Sequence, residues 1–506
     1  MASQYTKLQS IEVEDNLLLP YQVSNPTQKK SQNKFASYFY RVKGYIIKKW
    51  KILLLLMFVL LLIAGVILIP VLVLRYKTST ISDQCDEYGK EIINNAVQKG
   101  TEAYSRLSTL VTLFPGRLSG SEQLENAIDW IQDMMLDDGF DLVKTDDVEV
   151  THWVRGDESA TILQPYHRKM NMLGLGGSIA GNVTAEVIVV SSFDELDTLQ
   201  DQVKGKIVLF NAIFTNYSST VQYRSGGASA AAKYGGVAAL VRSITPYSLG
   251  TPHTGVMFYQ DGIDKIPTAA ITLEDADLIQ NLAILNQTVI VNLYMEAQTM
   301  PTNAISRNVM AQINGSTYPD EVVVIGGHTD SWDVAQGAMD DGGGIVVAWE
   351  ALRLIKSLGI IPKRTIRVVG WTNEENGAAG GAAYAQLYTN ETFFSIESDI
   401  GVTQPLGFNV MASEQTITDL QLIADKVLSP IKTTSIVEGE VGTDNGFLVS
   451  NGKPGAQLIT DESKYFWYHH TAGDAMDKMD PSQMNQCVAA MATMALCISN
   501  WVGQLN

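Results

Sequence analysis

From Ser306 onward, short apolar runs alternate with stretches of helical periodicity, and this alternation restricts the fold more than any other feature of the chain. Residues 321–325 read as a buried strand, 343–358 as a helix, 365–371 as a second strand and 378–388 as an alanine-rich helix. That order predicts a doubly wound, mixed α/β sheet, in which active groups gather beyond the carboxyl ends of the strands. Two chemistry-rich patches fall there. One is GGHTDSWDVAQGAMDDGGG, carrying His328, Asp330, Asp340 and Asp341; the other is WTNEEN, carrying Glu374 and Glu375.

Asp399 in IESDIG and His470 in YFWYHHT extend the set. Carboxylates with one histidine near each end are the mixture that suits two zinc ions sharing a water, whose pKa such a site lowers from 15.7 to about 7. Asp340 lies between a strand end and a helix start, where it can bridge two ions, and Gly342 to Gly344 are expected to let the backbone turn sharply behind it. Successive side chains diverge, so one of Glu374 and Glu375 can bind metal while the other moves protons at the substrate. Plainer readings exist for each part: Asp340-Asp341 as a helix cap, Glu374-Glu375 as a solvated loop. The chain has only six histidines, however, and two of them fall in this constellation. Asp330 is expected to orient the His328 imidazole through its carboxylate.

The segments GGHTDSWDVAQGAMDDGGG, PKRTIRVVGWTNEENG, IESDIG and YFWYHHTAGDAMDKMDP resemble those of the co-catalytic zinc exopeptidases of the carboxypeptidase Q type. The similarity runs from about Thr109 to the end and takes in HWVRGDES, YRSGGASAAAKYGG and PHTG. Carried over position by position, the resemblance implies His328 and Asp399 on one zinc, Glu375 and His470 on the other, and Asp340 between them. It also implies Glu374 as general base, Asp341 as a supporting or substrate-facing group, and His469 as a stabiliser of the oxyanion. Short peptides or dipeptides would be the substrates, cleaved by hydroxide held between the metals, and a homodimer the assembly.

The rest of the chain divides by composition. Residues 158–297 are richer in short β-like runs and read as an inserted lobe of the protease-associated type, so that 78–157 and 298–506 form the zinc-peptidase domain. In the lobe, 187–190, 205–210 and 271–273 read as strands and 226–234 as a helix. Residues 52–74 carry no charge and would make a helix about 35 Å long, enough to cross a bilayer as a transmembrane signal-anchor. Lys and Arg dominate residues 1–51, a polar tail that should stay cytoplasmic, which predicts a single-pass type II protein. Its body then faces the outside or the lumen of the secretory or endolysosomal system. The tail holds two sorting-like motifs, Glu14 with Leu18-Leu19 and Tyr5 with Leu8.

Five glycosylation sequons, at Asn182, Asn216, Asn286, Asn314 and Asn390, all lie beyond the anchor. A net charge of −18 with no basic stripe argues against a nucleic-acid partner. Of three cysteines, Cys487 and Cys497 are about 15 Å apart along one helical stretch and cannot bridge each other. Cys85 is left to cross-link two subunits or stay free. GLGGS at 174–178 lacks the rest of a dinucleotide loop, and Arg155-Gly156-Asp157 matches an integrin-binding triplet by chance. The rival function is a catalytically silent receptor or scaffold with a peptidase fold, which should have lost ligands; here all of them remain.

Overall fold

The computed structural model describes residues 83–505, together with residues 48–63 apart from 52, 59 and 61. The described residues belong to two units, one within residues 1–76 and one within 77–506. In the first, the described part of 48–63 is helical, and Leu53, Leu54, Leu55 and Phe58 are exposed. Among the described residues no helix is long and apolar enough to cross a membrane. Residues 64–74 of the expected anchor, and residues 1–47 with both sorting-like motifs, lie outside the described residues.

The second unit is built on a central sheet of eight strands: β1 Leu142–Val150, β2 Ala304–Ile313, β3 Tyr318–His328, β4 Arg364–Trp371, β5 Thr392–Glu397, β6 Pro405–Met411, β7 Ser435–Glu438 and β8 Gly455–Thr460. Their order is β1-β2-β4-β3-β5-β8-β6-β7. β4, β3, β5 and β8 run parallel, and β2 and β6 pair antiparallel to the two flanks of that block. Strand residues alternate between two covered faces, as a period of two requires. Val323, Ile325, Ile366 and Val368 pack with Ile131, Trp349 and Val488 from the helices Glu122–Asp137, Gly343–Ser357 and Pro481–Ser499. Val322, Val324, Val369 and Trp371 pack on the opposite face with Tyr384 and Ala385 of the helix Ala379–Tyr388. The mixed, doubly wound sheet expected from the alternation is therefore present.

All eight strands of a second sheet fall between Glu158 and Met295. Four of them, Gly181–Val190, Ile207–Phe210, Ala238–Arg242 and Thr268–Ile271, run parallel, with helices between the first three, so this region mixes helix with its strands. The run expected as a strand at 271–273 ends after Ile271, because Thr272 caps the helix Leu273–Ile284 by accepting the Asp275 N–H. Where the chain leaves and re-enters the central region, Trp153–Val154 pairs antiparallel with Gln298–Thr299. Cys85 is bonded to Cys497, joining the helix Asp83–Asn94 to Pro481–Ser499, while Cys487 is free and buried. The expected choice for Cys85, a link between subunits or a free thiol, is thus corrected: sequence spacing could not show two helices 412 residues apart lying side by side.

Candidate metal centre

β3 ends on His328, and β4 and β5 lead into the loops that carry Glu374-Glu375 and Asp399, so three patches meet at the carboxyl edge of the parallel block. Asp340 and Asp341 precede the helix Gly343–Ser357, and His470 follows the short helix Tyr465–Tyr468. Gly342 and Gly343 have ordinary helical angles, so the sharp turn expected of the glycines is not made there. What the run requires is space. A Cβ on Gly344 would stand 2.0 Å from the Ser398 carbonyl, and one on Gly327 would stand 2.3 Å from an Asp341 oxygen.

Asp340 sits at the middle of the cluster. Its Oδ1 is 3.3 Å from His328 Nε2, which is also 3.3 Å from Asp399 Oδ1. Its Oδ2 is 3.4 Å from His470 Nε2, which is 3.0 Å from Glu375 Oε2. Each oxygen of one carboxylate thus faces a histidine–carboxylate pair. Glu374 Oε2 lies 4.0 Å from His328 Nε2, at the edge of the cluster. His469 stacks on His470 with ring centroids 3.6 Å apart and places Nε2 3.6 Å from Asp340 Oδ2. Asp341 is close but committed elsewhere: its oxygens accept the backbone N–H groups of His328 (3.0 Å) and Gly344 (3.1 Å). The five sequon asparagines lie elsewhere, all on exposed positions.

The role expected of Asp330 shifts. The nearer partner of His328 Nδ1 is the Asp330 backbone carbonyl at 3.0 Å, against 3.4 Å for its carboxylate. That carboxylate accepts the backbone N–H groups of Glu374 (3.0 Å) and Glu375 (3.3 Å), so it sets the glutamate loop. Two positioning groups were not anticipated. Asp474 accepts the N–H groups of Ala338, Met339 and Asp340. Arg117, fully buried, donates to the carbonyls of Phe114, Thr329, Gln336 and Gly337, and burial lowers its pKa to about 10. The only hints in sequence were a lone arginine in FPGRLSGSE and an aspartate shortly after the paired histidines. Arg155 of the dismissed triplet is taken up by Asp333 at 2.6 Å.

Burial, followed by repulsion from Asp340, raises Glu375 to about 7, and burial with Asp399 beside it holds Glu374 well above the usual carboxylate range. Burial also raises Asp399. Burial opposes ionisation of Asp340 too, but His328 and His470 outweigh it and hold its pKa well below the ordinary value. Four carboxyl groups are thus crowded where water is scarce, three of them resisting ionisation, and His328 Nε2 and Asp340 Oδ2 are buried without a hydrogen bond. Orphaned nitrogen and oxygen lone pairs amid excess carboxylate are satisfied by cations, and nitrogen–oxygen donor sets of this kind fit zinc. A cavity of about 530 Å³ opens onto the cluster, with Arg224 and Tyr465 in its wall.

The sequence model of peptidase family M28 matches residues 308–495. Carboxypeptidase Q from Homo sapiens is 45% identical over 424 residues, covering 82% of this chain and 89% of the relative. Carboxypeptidase Q from Bos taurus is 44% identical over 431 residues, covering 83% and 91%. Among solved structures, a peptidase M28 precursor from Shewanella amazonensis SB2B is 32% identical, with a TM-score of 0.79 over 84% of this chain and 98% of that one. An aminopeptidase from Aneurinibacillus sp. strain AM-1, at 21% identity and a TM-score of 0.59, shares the fold over 82% of this chain. The chain belongs to peptidase family M28, as a zinc-dependent metallo-exopeptidase of the carboxypeptidase Q type.

Proposed function

We propose that this chain hydrolyses dipeptides and other short peptides at a centre of two zinc ions, with Glu374 as the general base. The observation that carries this reading is the placement of Asp340, whose two oxygens face His328 with Asp399 and His470 with Glu375. Zinc bound there would supply Lewis acidity toward the scissile carbonyl and lower the pKa of water. The chain's own residues do the rest. Backbone carbonyls beside the Nδ1 atoms of both histidines keep the Nε2 lone pairs turned inward. Glu374, with its pKa raised by burial and by Asp399, takes the proton from the attacking water and passes it to the leaving amine. His469 lies next to Asp340, within reach of charge developing on the carbonyl oxygen. Cavity volume favours small substrates, and the Arg224 guanidinium in its wall suits a peptide's terminal carboxylate.

The lysine bias flanking residues 52–74 supports a type II anchor, with residues 78–157 and 298–506 as the catalytic domain and 158–297 as a lobe over the site. Exposure of all five sequon asparagines and the bond between Cys85 and Cys497 both suit an oxidising lumen or the cell exterior. The family resemblance favours a homodimer. The test is to assay the full-length protein on dipeptides with free termini, with and without chelator. Chelator-sensitive hydrolysis supports the reading; a zinc-loaded but inert protein would favour the receptor alternative.

A further inference from the structure

His470 has φ +61, a left-handed conformation that a non-glycine residue keeps only where its surroundings hold it. What holds it comes from the second-sheet region. The Thr254 N–H donates to the His470 carbonyl at 3.0 Å, His470 Nδ1 lies 3.2 Å from the Thr254 carbonyl oxygen, and His253 Nδ1 lies 2.7 Å from the His469 carbonyl oxygen. His253 and Thr254 are 1% and 0% exposed, so these bonds are made away from water. The segment is itself tied to its own sheet region: the His253 N–H donates to Ser243 Oγ at 2.9 Å, and Thr254 Oγ1 donates to the Gly174 carbonyl at 2.8 Å. At Gly255, with φ +140, a Cβ would stand 2.3 Å from the Arg224 guanidinium, which also donates to the Thr254 carbonyl.

Two groups face His470 Nδ1, the Thr254 carbonyl oxygen at 3.2 Å and Arg224 Nη1 at 3.4 Å, and the nearer is an acceptor; a ring proton on Nδ1 then leaves Nε2 of His470 as a lone pair aimed at Asp340 and Glu375. The equivalent oxygen for His328 belongs to Asp330, two residues along the same loop of the central region. The two halves of the cluster are therefore supported from different places. We infer that His253 and Thr254 are positioning residues for the His470 half, so that a segment carried by the second sheet decides whether that half can hold its metal. The His328 half is complete without it. This inference rests on the two-zinc reading above.

The experiment uses the full-length protein stripped of metal and titrated with zinc against a chromophoric chelator, for the wild type, His253→Leu and His253→Asn. Leucine removes the donor to His469, whereas the asparagine amide replaces it. Wild type and His253→Asn should take up two zinc ions with similar affinities, and His253→Leu should bind the first normally and the second 10–100-fold more weakly. Ser243→Ala, which loosens the His253 N–H while leaving the imidazole in place, gives an independent variant and should also weaken only the second zinc. Equal weakening of both ions, or none in either His253→Leu or Ser243→Ala, would overturn the inference. Uptake of a single zinc by the wild type would instead remove the two-metal reading on which it stands.

Discussion

At the scale of single residues, Glu374 and Glu375 are neighbours with the same chemistry for which different work is proposed. Glu375 lies 3.0 Å from His470 Nε2, inside the proposed ligand set, while Glu374 stands at its edge, 4.0 Å from His328 Nε2. Glu374→Gln should therefore lower kcat by about 10²–10⁴-fold and leave zinc content unchanged, as read by turnover and metal analysis on one preparation. Loss of zinc in that variant would move Glu374 into the ligand set. His253 offers a pH test. Burial is the main cause of its pKa falling from 6.5 to about 3, and the nearby Arg224 guanidinium acts in the same direction against the hydrogen bond to His469. Between pH 6.5 and about 3 the unfolded chain binds a proton here that the folded chain does not, so stability falls as pH drops through that window. Chemical denaturation at several pH values should show a shallower loss for His253→Asn than for wild type; identical slopes would contradict this.

At the scale of elements, the strand-end positions of His328, Glu374 and Glu375 were legible because parallel strands buried on both faces read as continuous apolar runs that stop where the chemistry starts. The loop 329–341 was not legible. Its shape depends on Arg117 and Asp474, which lie far from it in sequence and act through backbone carbonyls and N–H groups that leave no pattern in side-chain type. Asp474→Asn turns an acceptor into a donor facing the 338–340 N–H groups, and should weaken zinc binding about 10–100-fold with little change in secondary structure, measured by chelator competition and circular dichroism. The bond from Cys85 to Cys497 was hidden for the same reason, since the helices it joins meet only through tertiary packing. Replacing both cysteines by serine should cost about 2–4 kcal/mol and lower Tm in calorimetry. An unchanged Tm would mean that packing alone holds the helix Asp83–Asn94 in place.

At the scale of the whole molecule, two sheets of different origin along the chain meet at one cavity. The central sheet region supplies the proposed ligands, and the second-sheet region supplies Arg224, His253 and Thr254 around the paired histidines. Sequence periodicity picked out strands at 187–190 and 205–210 and the helix at 226–234 in the second region, but not how its eight strands order into one sheet, because that order is set by pairings between residues far apart in the chain. The anchor and glycan readings rest on charge bias and sequons, so glycosidase treatment of protein made in animal cells should reduce its mass; unchanged mass would argue against a lumenal body. The most direct test of the central claim is a crystal structure of the zinc-loaded protein with anomalous diffraction collected at the zinc edge. Two peaks about 3.5 Å apart should flank Asp340, one beside His328 and Asp399 and the other beside His470 and Glu375. A single peak, or two peaks that do not share Asp340, would contradict the account.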